Sequence, residues 1–446
     1  MRQVKKMEAD IVIAGGGPGG CVLAKDLTKK GKKVILVEQG GNDMKFFGNL
    51  LSPMFGGHVE QGRGLSFMGL KTIEGDALIQ GIGVGGGTKL YVGFAFKPDE
   101  DAWRDVGIDL APYLDEAMKE SWVQEVPDEF YGPVHRRLTE AAHSLGYPWA
   151  KFTKHINYDR CDPRCTKCFL GCTRDAKWGG QYPANEAVKE GATILTHTKI
   201  RDVITENGVA IGIRGQDRRG QRYEILGNVV VLAAGGIGTA RILQRSGVYE
   251  AGSLLAGDPS LMMCGFLDEG QGHYNEHPMV NGHMDDERGC LIAGGFPAPR
   301  PIWFGTFLQH EGFGKMLRRV GRYRSAVGAW TKTHDEGLGR VGLDGSTSKV
   351  FTSADKSKLD YARSVIERIL IKVGCDPYNI LQGKIIIGHP SGTAPVGKVV
   401  DSNLQTPIKN LYCCDTSVSP GAPGRPPTLT IVCLAKRLAP HLQTIV

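Results

Sequence analysis

The chain has 446 residues, 41% of them hydrophobic and 23% charged, with a formal net charge of +7. That length exceeds what one compact core supports and implies two domains, and the composition is that of a globular chain, not a disordered or fibrous one. The mild positive charge, with no aromatic interleaving, argues against nucleic-acid binding, and the 62 glycines gather in short runs with no collagen-like period.

The opening "MRQVKKMEADIVIAGGG" passes from a few charged residues straight into a short strand. It contains no apolar stretch long enough for a signal peptide or a membrane span, which predicts a cytoplasmic protein with no transmembrane segment. Eleven cysteines in a reducing compartment then predict metal, redox or core roles in place of disulfides.

A strand predicted from Ile11 to Ala14 enters the run Gly15, Gly17 and Gly20. A helix from Cys21 to Thr28 follows, and a second strand from Lys33 to Val37 ends in Glu38. Between a strand and a helix, with an acid about twenty residues on, G-x-G-x-x-G reads as a dinucleotide site. The glycines let the backbone approach a pyrophosphate at the positive end of the helix. Glu38 accepts the ribose hydroxyls and repels a 2′-phosphate, which disfavours NADP.

Further along, "RCDPRCTKCFLGCTRDAKW" places Cys161, Cys165, Cys168 and Cys172 within twelve positions. Structural zinc usually draws on two pairs separated by a longer loop. The closing CxxCxxxC is nearer to the run that wraps a [4Fe-4S] cluster, although Thr173 stands where a proline usually follows the last cysteine. Zinc, and four thiols that only shape a turn, remain open beside the iron–sulfur reading.

From about 192 to 232, alternating apolar and polar residues with turns at Asn207-Gly208 and Arg219-Gly220 predict a small antiparallel sheet, closing in the buried strand "VVVLAAGG". The stretch 273–387 holds most of the remaining aromatics and the helix "KSKLDYARSVIERILIKVG". The C-terminal "LYCCDTSVSPGAPGRPPTLTIVCLAKRLAPHL" goes strand, Pro/Gly loop, apolar helix. The fold class expected is α/β. A discontinuous Rossmann-like domain (1–95, 190–272 and 388–446) carries a cap with the Cys-rich loop (96–189) and a smaller α+β substrate domain (273–387).

With these pieces in order, the chain resembles the glucose–methanol–choline family of FAD-dependent oxidoreductases. The resemblance rests on "GVGGGTKLYVG" (83–93), "DEDAWRDVGIDLAPYLDEA", "VVLAAGGIGTARILQRSGV" (230–248), "GHYNEHPMVNG" and "GHPSGTAPVGKVVDSNLQTPIKNLYCCDTSVSP". It implies FAD as cofactor. Gly86, Gly87 and Thr88 then lie along the flavin, Ala234 and Gly235 mark the re-entry into the dinucleotide site, and the Val203 backbone meets the adenine. Asp415 serves the ribityl chain, and Pro427 and Thr428 open a final helix whose dipole faces the flavin. His389 in "GHPSGT" stands where the family keeps the base that takes the alcohol proton.

Two positions depart from the family pattern. Pro426 occupies the place of the second active-site His or Asn and has no side-chain donor or acceptor, leaving Arg425, His277 and His273 as substitutes. Tyr91 replaces an Asn that touches the flavin. The reading expected is dehydrogenation of a small-molecule alcohol, with electrons passed to a quinone or protein acceptor, through an iron–sulfur cluster if the cysteines hold one. A redox-neutral or reductive flavoenzyme acting on a C=C or carbonyl substrate, and a non-catalytic electron-transfer subunit, stand as alternatives.

Overall fold

A computed structural model describes residues 3–42, 70–268, 270–296 and 298–446. The part of the expected 1–95 segment between 43 and 69 therefore lies outside the described residues.

Strand β1 (Lys5–Ala14) ends in Ile11, Val12, Ile13 and Ala14, all fully buried, as a central parallel strand covered on both faces requires. The chain turns at Gly15 (φ +116°), where a Cβ would sit 2.2 Å from the Ala233 carbonyl oxygen. It then enters α1 (Pro18–Thr28), with Pro18 in the first turn, and returns as β2 (Val34–Val37). After a long excursion, α2 (Gln181–Lys189) leads through β3 (Thr193–Leu195) to β4 (Thr198–Glu206), β5 (Val209–Asp217) and β6 (Arg222–Leu232). Asn207 and Gly208 both have positive φ (+49° and +78°), the geometry of a two-residue turn matched to strand twist.

Helix α3 (Gly235–Arg245) precedes β7 (Ala256–Phe266), β8 (Asn281–Asp285), β9 (Cys290–Gly294) and β10 (Ala326–Thr333). The chain closes with α4 (Ser353–Val373), β11 (Ile386–Ser391), β12 (Leu411–Cys413) and α5 (Thr428–Ile445).

Among the described residues, one sheet of seven strands runs β3-β2-β1-β6-β5-β4, with β12 also on β6. Its first four strands and β12 are parallel, and β5 and β4 are antiparallel. The sequence predicts a small antiparallel sheet over 192–232, and β4, β5 and β6 pair antiparallel there. The structure joins it to the nucleotide sheet, because β6 pairs with β1 from Tyr223 to Leu232 and so belongs to both.

A second sheet of nine strands includes the path β11-β7-β10-β9-β8. Strand β7, within the expected 190–272 segment, pairs with β10 and β11 and so lies in this second sheet. Every residue of β10 is buried. Val327 and Ala329 pack in the core formed with Val365, Ile366 and Ile369 of α4, while Ala326 and Trp330 join an aromatic cluster with Phe94, Phe152 and Phe296. No helix among the described residues is long and apolar enough to cross a membrane.

Helix α4 is entered through a reciprocal cap. The Asp355 amide donates to Thr352 Oγ1 at 3.1 Å and the Thr352 amide donates to Asp355 Oδ2 at 2.9 Å. Thr352→Ala leaves the Asp355 amide without its side-chain acceptor and is expected to lower unfolding free energy by about 1 kcal/mol, read by chemical denaturation.

Candidate active site

A cavity of about 910 Å³ opens along the ends of the parallel strands, at the upper end of the range for small-molecule sites, roughly 300–1,000 Å³. Three helix N-termini face it. Gly17 and Pro18 come from α1, Ala234 and Gly235 from α3, and Pro426, Pro427 and Thr428 from α5. Their aligned dipoles make this a place for an anionic group such as a pyrophosphate. Gly86, Gly87 and Thr88 line the same cavity. A Cβ on Gly86 would stand 3.0 Å from the Gly17 Cα, so the two glycine stretches meet backbone to backbone. The Thr88 hydroxyl donates to the Gly85 carbonyl at 2.5 Å and accepts from the Gly180 amide at 3.0 Å.

Other predicted residues turn out to support this cradle. Gly20 does not line the cavity, and its missing side chain leaves room for the Gly15 carbonyl oxygen, 2.2 Å from where a Cβ would be. Glu38 lines the cavity and also accepts from the amides of Gly16 (2.7 Å), Gly40 (2.8 Å) and Gly83 (3.0 Å), gathering three loops on one carboxylate. Asp415, at the end of β12, accepts from the Gly235 amide at 2.8 Å, the Thr239 hydroxyl at 2.6 Å and the Ser417 amide at 2.7 Å. It thereby caps α3 and presents its buried carboxylate to the cavity. Val203 is turned elsewhere. Its side chain is buried and its amide donates to Ser246 Oγ, while Thr198, Lys199 and Ile200 of the same strand reach the cavity.

At the far end stands His389, its side chain 31% exposed into the cavity it lines. Its backbone is left-handed (φ +47°), a strained conformation for a side-chain-bearing residue that neighbours must enforce. Nδ1 lies 2.8 Å from Asp258 Oδ2, which also accepts from Lys332 Nζ at 2.5 Å. The other Asp258 oxygen accepts from the Gly424 amide at 3.2 Å. Asp258 and Lys332 are fully buried. With Nδ1–H donated to the carboxylate, the imidazole is held in the tautomer that leaves Nε2 free as an acceptor. Burial, and then the Lys332 charge, push the His389 pKa below its ordinary 6.5, against the pull of Asp258.

Sequence reasoning missed Asp258 and Lys332. The signal was available: a single charged residue inside "AGDPSLMMCGF", and another inside "AVGAWTKT", must find counter-charge if those apolar strands are buried. Of the residues proposed to replace the side chain lost at Pro426, none lines the cavity. Arg425 donates to Asp286 Oδ1 at 2.6 Å, and His273 and His277 are buried outside it. Pro426 itself lines the wall with Phe94, Met262, Phe296 and Trp330.

The Cys-rich loop abuts this cavity. Its short turn Cys168–Leu170 contributes Phe169 and Leu170 to the lining, and Tyr91, also on the wall, donates from its hydroxyl to the Trp178 carbonyl at 2.8 Å. All four cysteines are free thiols. No three of their sulfurs lie within 4.8 Å of one another, a more open arrangement than the about 3.8 Å edge of a zinc tetrahedron built with Zn–S bonds near 2.3 Å. Among the described residues, the group that does meet that spacing is His135, His273 and Glu276. Both His135 nitrogens are already engaged there, by Asn281 Oδ1 and the His277 carbonyl.

Burial pushes the Cys161 thiol up to about 12, aided by Cys168 and Cys172. Burial also raises Cys168, with Lys154 and Lys177 pulling it back. It lowers Lys154 and Lys177 to about 8 each, against the upward pull of the neighbouring thiols.

The N-terminal family model described as GMC oxidoreductase matches residues 9–257, and the corresponding C-terminal model matches 378–435. An uncharacterized GMC-type oxidoreductase of Mycobacterium tuberculosis is 26% identical over 97% of this chain and 75% of its own length. A long-chain-alcohol oxidase of Arabidopsis thaliana is 22% identical over 98% of this chain and 69% of its own. Among solved structures, an Aspergillus oryzae formate oxidase studied for FAD modification superposes with a TM-score of 0.72, at 14% identity, over 99% of both chains.

The Asp258–Lys332 pair, shared between two strands, carries a direct test. Asp258→Asn leaves the Lys332 ammonium buried without its counter-charge, and unfolding free energy is expected to fall by about 3–5 kcal/mol in chemical denaturation.

Proposed function

Because the chain belongs to the GMC oxidoreductase family, whose members bind FAD and act on CH–OH groups, we propose that it dehydrogenates an apolar alcohol with His389 as base and gives the electrons to an acceptor other than oxygen. The single observation that carries this reading is the His389–Asp258–Lys332 cluster at the end of the cavity.

FAD, when bound, supplies the acceptor for the hydride that leaves the carbinol carbon. The chain's own residues do the rest. His389 Nε2 takes the hydroxyl proton, while Asp258 keeps Nδ1–H in place and stabilises the imidazolium that forms. Lys332 holds the Asp258 carboxylate ionised and disfavours premature protonation of the ring. Phe94, Phe169, Met262, Met279, Phe296 and Trp330 line the cavity, with Ser260, Thr306 and Gln309 among its polar lining, which suits a substrate that is mostly hydrocarbon.

For the cofactor, Gly15, Gly17, Gly86, Gly87, Thr88, Ala234 and Gly235 form the backbone cradle, with Asp415 beside the third helix. Glu38 is the ribose acceptor in this reading, and Thr198 to Ile200 take the adenine contact expected of Val203. Pro427 and Thr428 present the N-terminus of α5. The absent side chain at Pro426 is compensated by the Asp258 contact to His389, so a lone base suffices. Overall the CH–OH group loses two electrons and two protons to become C=O, and a quinone that gains both leaves as the quinol. The four cysteines beside the cavity are, in this reading, the place where an iron–sulfur cluster passes the electrons on.

His389→Ala is expected to slow flavin reduction by an apolar alcohol roughly 10²-fold or more while FAD stays bound. Anaerobic stopped-flow measures it, and an unchanged rate would remove His389 from the chemistry. For the wild-type protein, the base is neutral above its lowered pKa. The reduction rate should therefore be level at and above pH 7 and decline only as the pH falls through a value below 6.5. An acid limb centred above 6.5 in the pH–rate profile would contradict the assignment.

A further inference from the structure

We propose that Cys161, Cys165, Cys168 and Cys172, with the buried Lys154 and Lys177, form a charge-matched site for a [4Fe-4S] cluster, the lysines supplying the counter-charge that allows four thiolates beside the cavity. The inference rests on the iron–sulfur reading above and extends it to the residues that would hold and tune the group.

Lys154 is 0% exposed and Lys177 3%. A buried ammonium is tolerated only when it is both hydrogen-bonded and electrically paired. Four other buried lysines meet that rule with carboxylates: Lys25 with Glu120, Lys332 with Asp258, Lys349 with Asp335 and Lys436 with Asp26. Lys154 and Lys177 differ. Lys154 Nζ donates to the Pro278 carbonyl at 2.7 Å. Lys177 Nζ donates to the carbonyls of Tyr91 (2.6 Å), Cys168 (2.8 Å) and Lys89 (3.2 Å). These acceptors are neutral, as are the aromatic faces beneath the two ammoniums, Phe94 at 5.6 Å from Lys154 and Tyr91 at 4.8 Å from Lys177. The acidic groups close enough to act on the two ammoniums are thiols: Cys168, Cys172 and Cys165 for Lys177, and Cys168 and Cys161 for Lys154. The counter-charge is missing unless the cysteines carry it.

Four thiolates around an oxidised [4Fe-4S] core leave two net negative charges, and two ammoniums cancel them. The site also holds spare donors. The buried Tyr158 hydroxyl has no hydrogen-bond partner, and Cys161 packs against the apolar cluster that holds Tyr158. The Ala176 amide already donates to Cys172 Sγ at 3.4 Å. Donors aimed at sulfur and nearby positive charge are what raise a cluster's reduction potential. The location is suitable as well, since Lys177 bridges Cys168 to Tyr91 on the cavity wall. Electrons removed from the substrate would leave one at a time by this side toward the quinone or protein acceptor that gains them.

The test compares wild type, Lys154→Met, Lys177→Met and Lys154→Arg, each purified anaerobically after reconstitution with iron and sulfide. Iron, zinc and acid-labile sulfide are measured per chain, with bound FAD as the check on folding. The midpoint of the reduced-cluster EPR signal is then followed in a redox titration. Wild type is expected to hold about four iron and four sulfide. The two Met variants are expected to lose cluster or to titrate at a more negative potential, and Lys154→Arg to restore the wild-type value. Wild type with FAD but with zinc or no iron would overturn the cluster reading and this inference together, while leaving alcohol-driven flavin reduction intact. A full cluster with an unchanged potential in both Met variants would overturn the lysine assignment alone. If Lys177→Met fails to retain FAD, the comparison rests on Lys154→Met, whose ammonium has a single carbonyl partner.

Discussion

The carboxylate of Asp258 has no access to solvent, and three separate parts of the chain answer its charge. Lys332 reaches it from the neighbouring strand β10, His389 from β11 on the other side, and the Gly424 amide from the loop that leads into α5. A buried charge cannot be left half-satisfied, so these contacts lock the second sheet against the last helix of the nucleotide-binding half. They also explain the left-handed backbone at His389, which the surrounding hydrogen bonds hold in place. The orientation of the His389 ring is thus a consequence of how an internal charge is neutralised.

The other end of the cavity obeys a different constraint. A phosphate group can reach helix N–H donors only if no side chain intervenes, so the chain keeps backbone bare where Gly15, Gly17 and Gly86 meet. Glu38 and Asp415 then do structural service at the ends of β2 and β12, drawing loops and the start of α3 together through backbone amides. Their carboxylates border the cavity because the loops they organise do. The cradle and His389 are joined along one continuous wall.

The Cys-rich loop shows the same logic of buried charge with the signs exchanged. Lys154 and Lys177 are interior lysines, Lys154 held by the Pro278 carbonyl and Lys177 by the carbonyls of Cys168 in the loop and Tyr91 on the cavity wall. The Lys177 contacts tie the loop to the glycine-rich stretch that borders the cavity, so the loop is part of the site's wall and not a surface decoration.

The strand–glycine–helix–strand unit and the long helix after Thr352 were legible from local signals alone. Apolar runs, glycines at tight turns, capping residues and charge at strand ends act over a few residues, and the sequence displays them directly. The resemblance of ordered motifs likewise marked His389, Asp415 and the start of α5, all of which line the cavity. What required the tertiary structure were pairings between distant positions. That β6 serves two β arrangements, that β7 leaves the nucleotide half, and that Thr198 to Ile200 rather than Val203 face the cavity depend on register across strands. Asp258 meets Lys332 across 74 residues and His389 across 131. Sequence could show only that each was a charged or titratable residue in an apolar setting. Which partner satisfies a buried charge is decided by packing, because the low-dielectric interior rewards only the groups that the fold brings within hydrogen-bonding distance.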